Sequence, residues 1–215
     1  MRPITVWDLP TRLFHWILVV LIGLAWWTER SNHMDWHMLV GYAVLALLIF
    51  RVIWGFVGSD TARFSGFVRS PLAALRHLSR LARREPDTEV GHNAAGGWMV
   101  LLMLALIGVQ AGTGLFANDD IMTEGPLMHL VGKDRSDWLT HIHGLNFTLI
   151  QAVVVLHVLA ILVYLVLKRQ NLLRPMITGT KAMPAGMAPP RLRSPLLALA
   201  TLVVAAGIVA WIVRL

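Results

Sequence analysis

HIHGLNFTLIQAVVVLHVLAIL, residues 141–162, has no Asp, Glu, Lys or Arg in 22 positions, yet it carries three histidines. A helix of about 20 apolar residues crosses the ~30 Å hydrocarbon core of a bilayer, so this stretch reads as a membrane span. Polar and ionisable groups cost free energy there, which makes its imidazoles functional candidates. His143 and His157 are 14 residues apart. At 1.5 Å per residue that is about 21 Å along the axis, and 14 steps of about 100° bring the two side chains within about 40° of one face. No single metal centre reaches both. Two ligands on one stripe at opposite depths imply two centres, each needing a second ligand from another helix.

Further spans flank this one. Apolar runs at about 13–29, 37–57, 95–116 and 195–213 join the span at 142–167 to give five. Composition agrees, with 56% hydrophobic and only 14% charged residues and a mean hydropathy of +0.63. Soluble domains carry nearer 25% charge. The first run follows Arg2 and Arg12 and has the outline of a signal peptide. No small-x-small cleavage site follows it, and Trp26–Trp27 reads as an interfacial anchor, so it is expected to stay as a helix. The chain has no cysteine, which excludes disulfides, thiolate-held iron–sulfur clusters and thioether-linked haem. The net charge of +7 lies in particular loops, pointing to membrane orientation rather than to nucleic acid.

Those loops set a topology. The second connection, about 58–93, holds Arg63, Arg69, Arg76, Arg80, Arg83 and Arg84, and the segment from Lys168 to Arg193 has six bases and no acid. Both belong on the cytoplasmic side by the positive-inside rule. The first connection and the acidic third one, where Lys133 and Arg135 face Asp119, Asp120, Glu124, Asp134 and Asp137, belong outside. The N-terminus is then inside and the C-terminus outside. SPLAALRHLSRLARR, residues 70–84, repeats Leu beside bases and reads either as a surface-lying amphipathic helix or as a solvated connector. MPAGMAPPRLR is a Pro-rich linker. The expected division is residues 1–180, a linker over 181–194, and an additional helix over 195–215.

Depth pairs the histidines. His15 opens the first span at its inner side and His37 opens the second at its outer side. The fourth span runs inward, so His143 is outer and His157 inner. The pairs are therefore His15 with His157 and His37 with His143. Neutral imidazole is a standard axial ligand of haem iron. His33 and His141 are reserve candidates, whereas His77, His92 and His129 read as surface or structural residues. Gly41, one turn past His37, together with Gly108, Gly112, Gly114 and Gly144, leaves space for a flat macrocycle, although small residues also serve helix packing in lipid. Arg51, inside the second span, and Arg12, beside His15, suit anionic propionates. Snorkelling to inner head groups is the competing reading of Arg51.

VWDLPTRLFHW, WHMLVGYAVLALLIFRVIWGFVG, GHNAAGGWMVLLMLALIGVQAGTGLF, the quoted fourth span and NLLRPMITG together resemble the bacterial cytochrome b561 and nickel–iron hydrogenase cytochrome b family, from about Val6 to Gly179. The resemblance implies an all-α membrane protein. It implies a four-helix bundle with two non-covalent haems b, each bis-histidine, linking a partner on the outer face to the quinone pool of a respiratory chain. The family's ligands fall on His15, His37, His143 and His157, and its buried arginine on Arg51. Ala94 and Ala95 stand where the family often has a proline, and the fifth helix lies beyond the shared core.

The expected role is one-electron transfer, with ubiquinone or menaquinone at one end and a periplasmic cytochrome c at the other. No separate catalytic side chain is expected. Bis-histidine ligation leaves iron no open position, which disfavours oxygen binding. A hydrogenase small subunit is an alternative partner, and superoxide oxidation an alternative reaction. The competing class, a transition-metal transporter, would place ligands at successive depths rather than at two levels.

Overall fold

The computed structural model describes residues 2–79, 89–184 and 186–215. Arg80, Arg83 and Arg84, and with them the end of the expected surface helix, lie outside the described residues. The chain is mostly helical. Strand β1 (Arg2–Thr5) precedes α1 (Leu9–Arg30) and α2 (Met34–Val57), and two short helices follow, α3 (Phe64–Phe67) and α4 (Pro71–Ser79). Then come α5 (Ala94–Gly114), α6 (Lys133–Val166), α7 (Leu173–Thr178), strand β2 (Thr180–Met183) and α8 (Pro195–Ile212). Five of these, α1, α2, α5, α6 and α8, are long and apolar enough to cross a membrane.

Four of the spans begin within four residues of their expected positions, but α6 starts at Lys133, nine residues before the apolar run. Its polar first turns bind the preceding connection. The Ser136 hydroxyl donates to the Phe116 carbonyl at 2.6 Å, and Asn118 Nδ2 donates to Ser136 Oγ at 2.6 Å. The Asn118 N–H donates to Thr140 Oγ1 at 3.0 Å. Ser136 is wholly buried. Helix continues because its polar groups find partners, a signal absent from hydropathy.

The chain divides into two compact units, one of Met1–Leu13, Val52–Leu102 and Val153–Ala198, the other of Phe14–Arg51, Met103–Ala152 and Leu199–Leu215. The first unit thus gathers the N-terminal strand, the second connection and the 168–193 segment, and the second unit gathers the first and third connections with the C-terminus.

In the first unit, β1 pairs antiparallel with β2, Arg2 opposite Met183 and Thr5 opposite Thr180. Ile4, Val6, Trp7 and Met183 form its buried core. The Val6 and Trp7 N–H groups both donate to the Gly179 carbonyl, at 2.8 and 3.1 Å. Gly179 has φ +82°, and a Cβ there would lie 3.1 Å from the Trp7 carbonyl oxygen, so the left-handed turn after α7 requires glycine. Asp8 caps α1: Oδ1 accepts from the Thr11 N–H at 2.8 Å, and Oδ2 accepts from Trp54 Nε1 at 3.1 Å. The Pro-rich segment lies on the start of the second connection. Asp60 Oδ2 accepts the Arg191 N–H at 2.9 Å, and Ser59 Oγ accepts that of Arg193 at 3.0 Å. His77 of α4 and Asn93 both reach the hydroxyl of buried Tyr164, at 2.5 and 2.8 Å, and the Lys168 ammonium stands 5.5 Å from the centre of that ring.

Candidate functional site

The second unit brings His37 and His143 together, their ring centroids 6.2 Å apart with planes at 76°. Each ring is fixed through its Nδ1. His37 Nδ1 lies 2.9 Å from the Ala25 carbonyl oxygen, and His143 Nδ1 lies 2.9 Å from that of Gln110. A carbonyl oxygen only accepts, so Nδ1 carries the proton in both rings and each Nε2 keeps a lone pair for a ligand bond.

This pair fits a flat group with two axial positions. A metal–imidazole bond of about 2.0 Å on each side, with a ring radius of about 1.2 Å, gives a centroid separation of roughly 6.4 Å, near that observed. Glycines supply the room. A Cβ at Gly41, Gly112 or Gly144 would meet nothing within 4 Å. At Gly114 it would sit 3.0 Å from His143 Cε1, so that glycine admits the imidazole itself. Among the described residues no three His, Asp or Glu side chains converge on a point. A bare ion usually asks for three or four protein ligands, whereas a haem brings four nitrogens of its own and asks for two.

Residues behind the two imidazoles were not singled out by sequence reasoning. Asn146, 4% exposed, donates through Nδ2 to the Leu106 carbonyl at 2.9 Å and to Gln110 Oε1 at 2.7 Å. Gln110 is thereby held where its carbonyl meets His143. The Thr113 hydroxyl donates to the Val109 and Gln110 carbonyls at 2.7 and 3.1 Å and lies 3.2 Å from His143 Nδ1. In α1 the Thr28 hydroxyl donates to the Leu24 and Ala25 carbonyls at 2.8 and 3.0 Å. Uncharged polar residues inside apolar spans were the available signal, and Gln110 and Asn146 both carry it.

The other expected site residues fall as follows. His15, half-buried, belongs to the second unit and meets the Trp16 ring edge-on at 4.8 Å. His157, also half-buried, belongs to the first. Arg51 is 2% exposed, so its guanidinium is enclosed by protein instead of reaching head groups. Arg12 Nη1 donates to the Ile177 carbonyl at 2.5 Å. His33 and His141 are exposed, and His33 lies 6.0 Å from the Trp27 ring. His92 packs between Trp7 and Phe67 at 4.7 and 4.9 Å, a structural placement.

The third connection presents an acidic surface. Asp119 Oδ1 accepts the N–H groups of Ile121, Met122 and Thr123 at 2.9, 2.9 and 2.8 Å. These bonds, that of Thr123 foremost, hold its carboxyl far below the usual carboxylate range. Lys133 pairs with both Asp120 and Asp137. Ile121 and Met122 stand at the tip, 85% and 91% exposed.

A family model described as prokaryotic cytochrome b561 matches residues 6–179, most of the chain. No curated protein and no solved structure gives a match.

Proposed function

The chain belongs to the prokaryotic cytochrome b561 family, whose work is membrane electron transfer through b-type haem, and from that premise we propose a two-haem conductor between an outer-face redox protein and the quinone pool. His37 and His143 hold the outer haem, and His15 and His157 the inner. Each haem, when bound, supplies a one-electron iron couple. The observation that carries the reading is the facing pair of imidazoles with both Nδ1 atoms committed to carbonyls.

The chain's own residues do the rest. The carbonyls of Ala25 and Gln110 fix the tautomer and orientation of the outer imidazoles, so ligand geometry changes little between redox states. Arg51, enclosed in protein, supplies a positive charge for a propionate. Positive-inside counting of the loops favours the N-terminus and the 168–193 segment on the cytoplasmic side and the C-terminus in the periplasm.

The acidic third connection favours a basic cytochrome c as the outer partner. Lys133, one of its two bases, is taken up by Asp120 and Asp137, which leaves little positive field to draw in superoxide.

A dithionite-reduced minus oxidised spectrum with haem counted per chain tests the proposal, and two b-type haems are expected. A chain without b-type bands would refute it. Anaerobic electron exchange with the quinone pool, assayed in turn with cytochrome c, with hydrogen and hydrogenase, and with superoxide, separates the partners, and cytochrome c is expected to support it.

A further inference from the structure

The two outer imidazoles are held by one device used twice. Each donates Nδ1–H to a carbonyl near the C-terminal end of a helix, Ala25 in α1 and Gln110 in α5. Three residues further on each helix stands a threonine, Thr28 or Thr113, whose hydroxyl donates to that same carbonyl at 3.0 or 3.1 Å. Both threonines are buried, 3% and 8% exposed. Back-bonding to the carbonyl four residues earlier is ordinary for a helical threonine, and both do it, to Leu24 and Val109. The unusual part is the third participant. In each case the shared carbonyl also serves a candidate ligand histidine.

Two donors on one carbonyl oxygen compete, since each withdraws electron density that the other would use. A hydroxyl on the Ala25 oxygen therefore weakens the bond from His37 Nδ1–H. A weaker Nδ1–H bond leaves the imidazole less anionic and a poorer donor to iron, which disfavours the ferric state relative to the ferrous. We propose that Thr28 and Thr113 set the electron affinity of the outer iron by competing with His37 and His143 for the carbonyls of Ala25 and Gln110. They are positioning residues, touching the ligands' partners rather than the metal. At Thr113 the hydroxyl oxygen also stands 3.2 Å from His143 Nδ1 and offers a second, weak acceptor. That contact opposes the carbonyl effect, so Thr28 carries the larger influence.

The inference rests on the outer-site reading above, and its test separates the two. Thr28→Val keeps the shape and removes the hydroxyl, while Thr28→Ser restores it. Full-length protein in detergent is titrated potentiometrically and the two haems are followed by their bands. Thr28→Val is expected to lower the outer midpoint by an amount equal to a three- to tenfold change in the oxidised-to-reduced ratio, roughly 30–60 mV at 59 mV per tenfold. Thr28→Ser stays near wild type, Thr113→Val moves the outer midpoint less, and the inner midpoint is unchanged throughout. An unmoved outer midpoint in Thr28→Val, or equal shifts of both haems, overturns the inference while leaving the ligand assignment intact. A b-type haem complement that is unchanged in both His37→Ala and His143→Ala overturns the outer-site reading and this inference with it.

Discussion

Replacing Gly114 by alanine is the sharpest test of the outer site. The new Cβ would stand 3.0 Å from Cε1 and 3.4 Å from Nδ1 of His143. Carbons in contact sit about 3.5–4.0 Å apart, so the ring must retreat by roughly half an ångström. It is tethered by the 2.9 Å bond to Gln110, and Asn146 braces that residue in turn. Overpacking of this kind costs about 1–3 kcal/mol. At 1.4 kcal/mol per tenfold, this weakens haem retention roughly five- to hundredfold. The same change removes a glycine from a helix, worth at most about 1 kcal/mol in favour of folding and less at the last residue of α5. Haem affinity and fold stability should therefore part company. Haem per chain and the reduced minus oxidised spectrum are measured beside thermal unfolding in detergent, with Gly207→Ala as control, since a Cβ there meets nothing within 4 Å and α8 carries no candidate ligand. We expect Gly114→Ala to lose outer haem at near-normal unfolding temperature and Gly207→Ala to keep both haems. A Gly114→Ala protein with two haems and a wild-type outer midpoint would refute the argument.

Other substitutions probe the remaining pieces. His157→Ala is expected to drop the inner haem and keep the outer, read as one haem per chain; retention of both would return His157 to a structural role. Arg51→Leu removes an enclosed charge, and the expected outcome is weaker retention of the inner haem with the outer band intact. Tyr164→Phe strips the hydroxyl bonded by His77 and Asn93, and losing those buried bonds costs about 1–3 kcal/mol in unfolding measurements. Asp60 gives a pH signature: its carboxyl is held below the usual value, first by the Arg191 N–H and also by Arg63. A group depressed in the folded state contributes stability above its unfolded pKa, near 3.8, and loses it as pH falls through and below that value. Unfolding temperature should thus fall less steeply between pH 5 and 3 in Asp60→Asn than in wild type; identical slopes would count against it.

What the sequence disclosed followed from period and spacing. Five apolar runs forecast five long helices. Fourteen-residue spacing and depth picked out His37 with His143, and the structure sets those rings face to edge. The supporting groups were illegible for a physical reason: what Ala25 and Gln110 offer the imidazoles is a backbone carbonyl, which every residue has. The polar start of α6 was hidden because Ser136 and Thr140 are satisfied by the preceding connection, and no window of hydropathy registers a distant hydrogen bond. Arg51 was legible as a charge inside a span, but only packing distinguished enclosure from snorkelling. The β1–β2 pairing joins residues 175 to 181 positions apart and leaves no periodic trace.

That pairing has a consequence for how the chain is made. Arg2–Thr5 leaves the ribosome among the first residues, yet its partner strand follows only after α6 and α7 have been synthesised. At about 5–20 residues per second the early strand waits roughly 10–35 s for its mate. The two strands can meet only if the intervening helices have left both on the same side of the bilayer. Closure of this small clamp is therefore a seal set late in biogenesis, and it forms only on chains whose spans have been threaded in the right number.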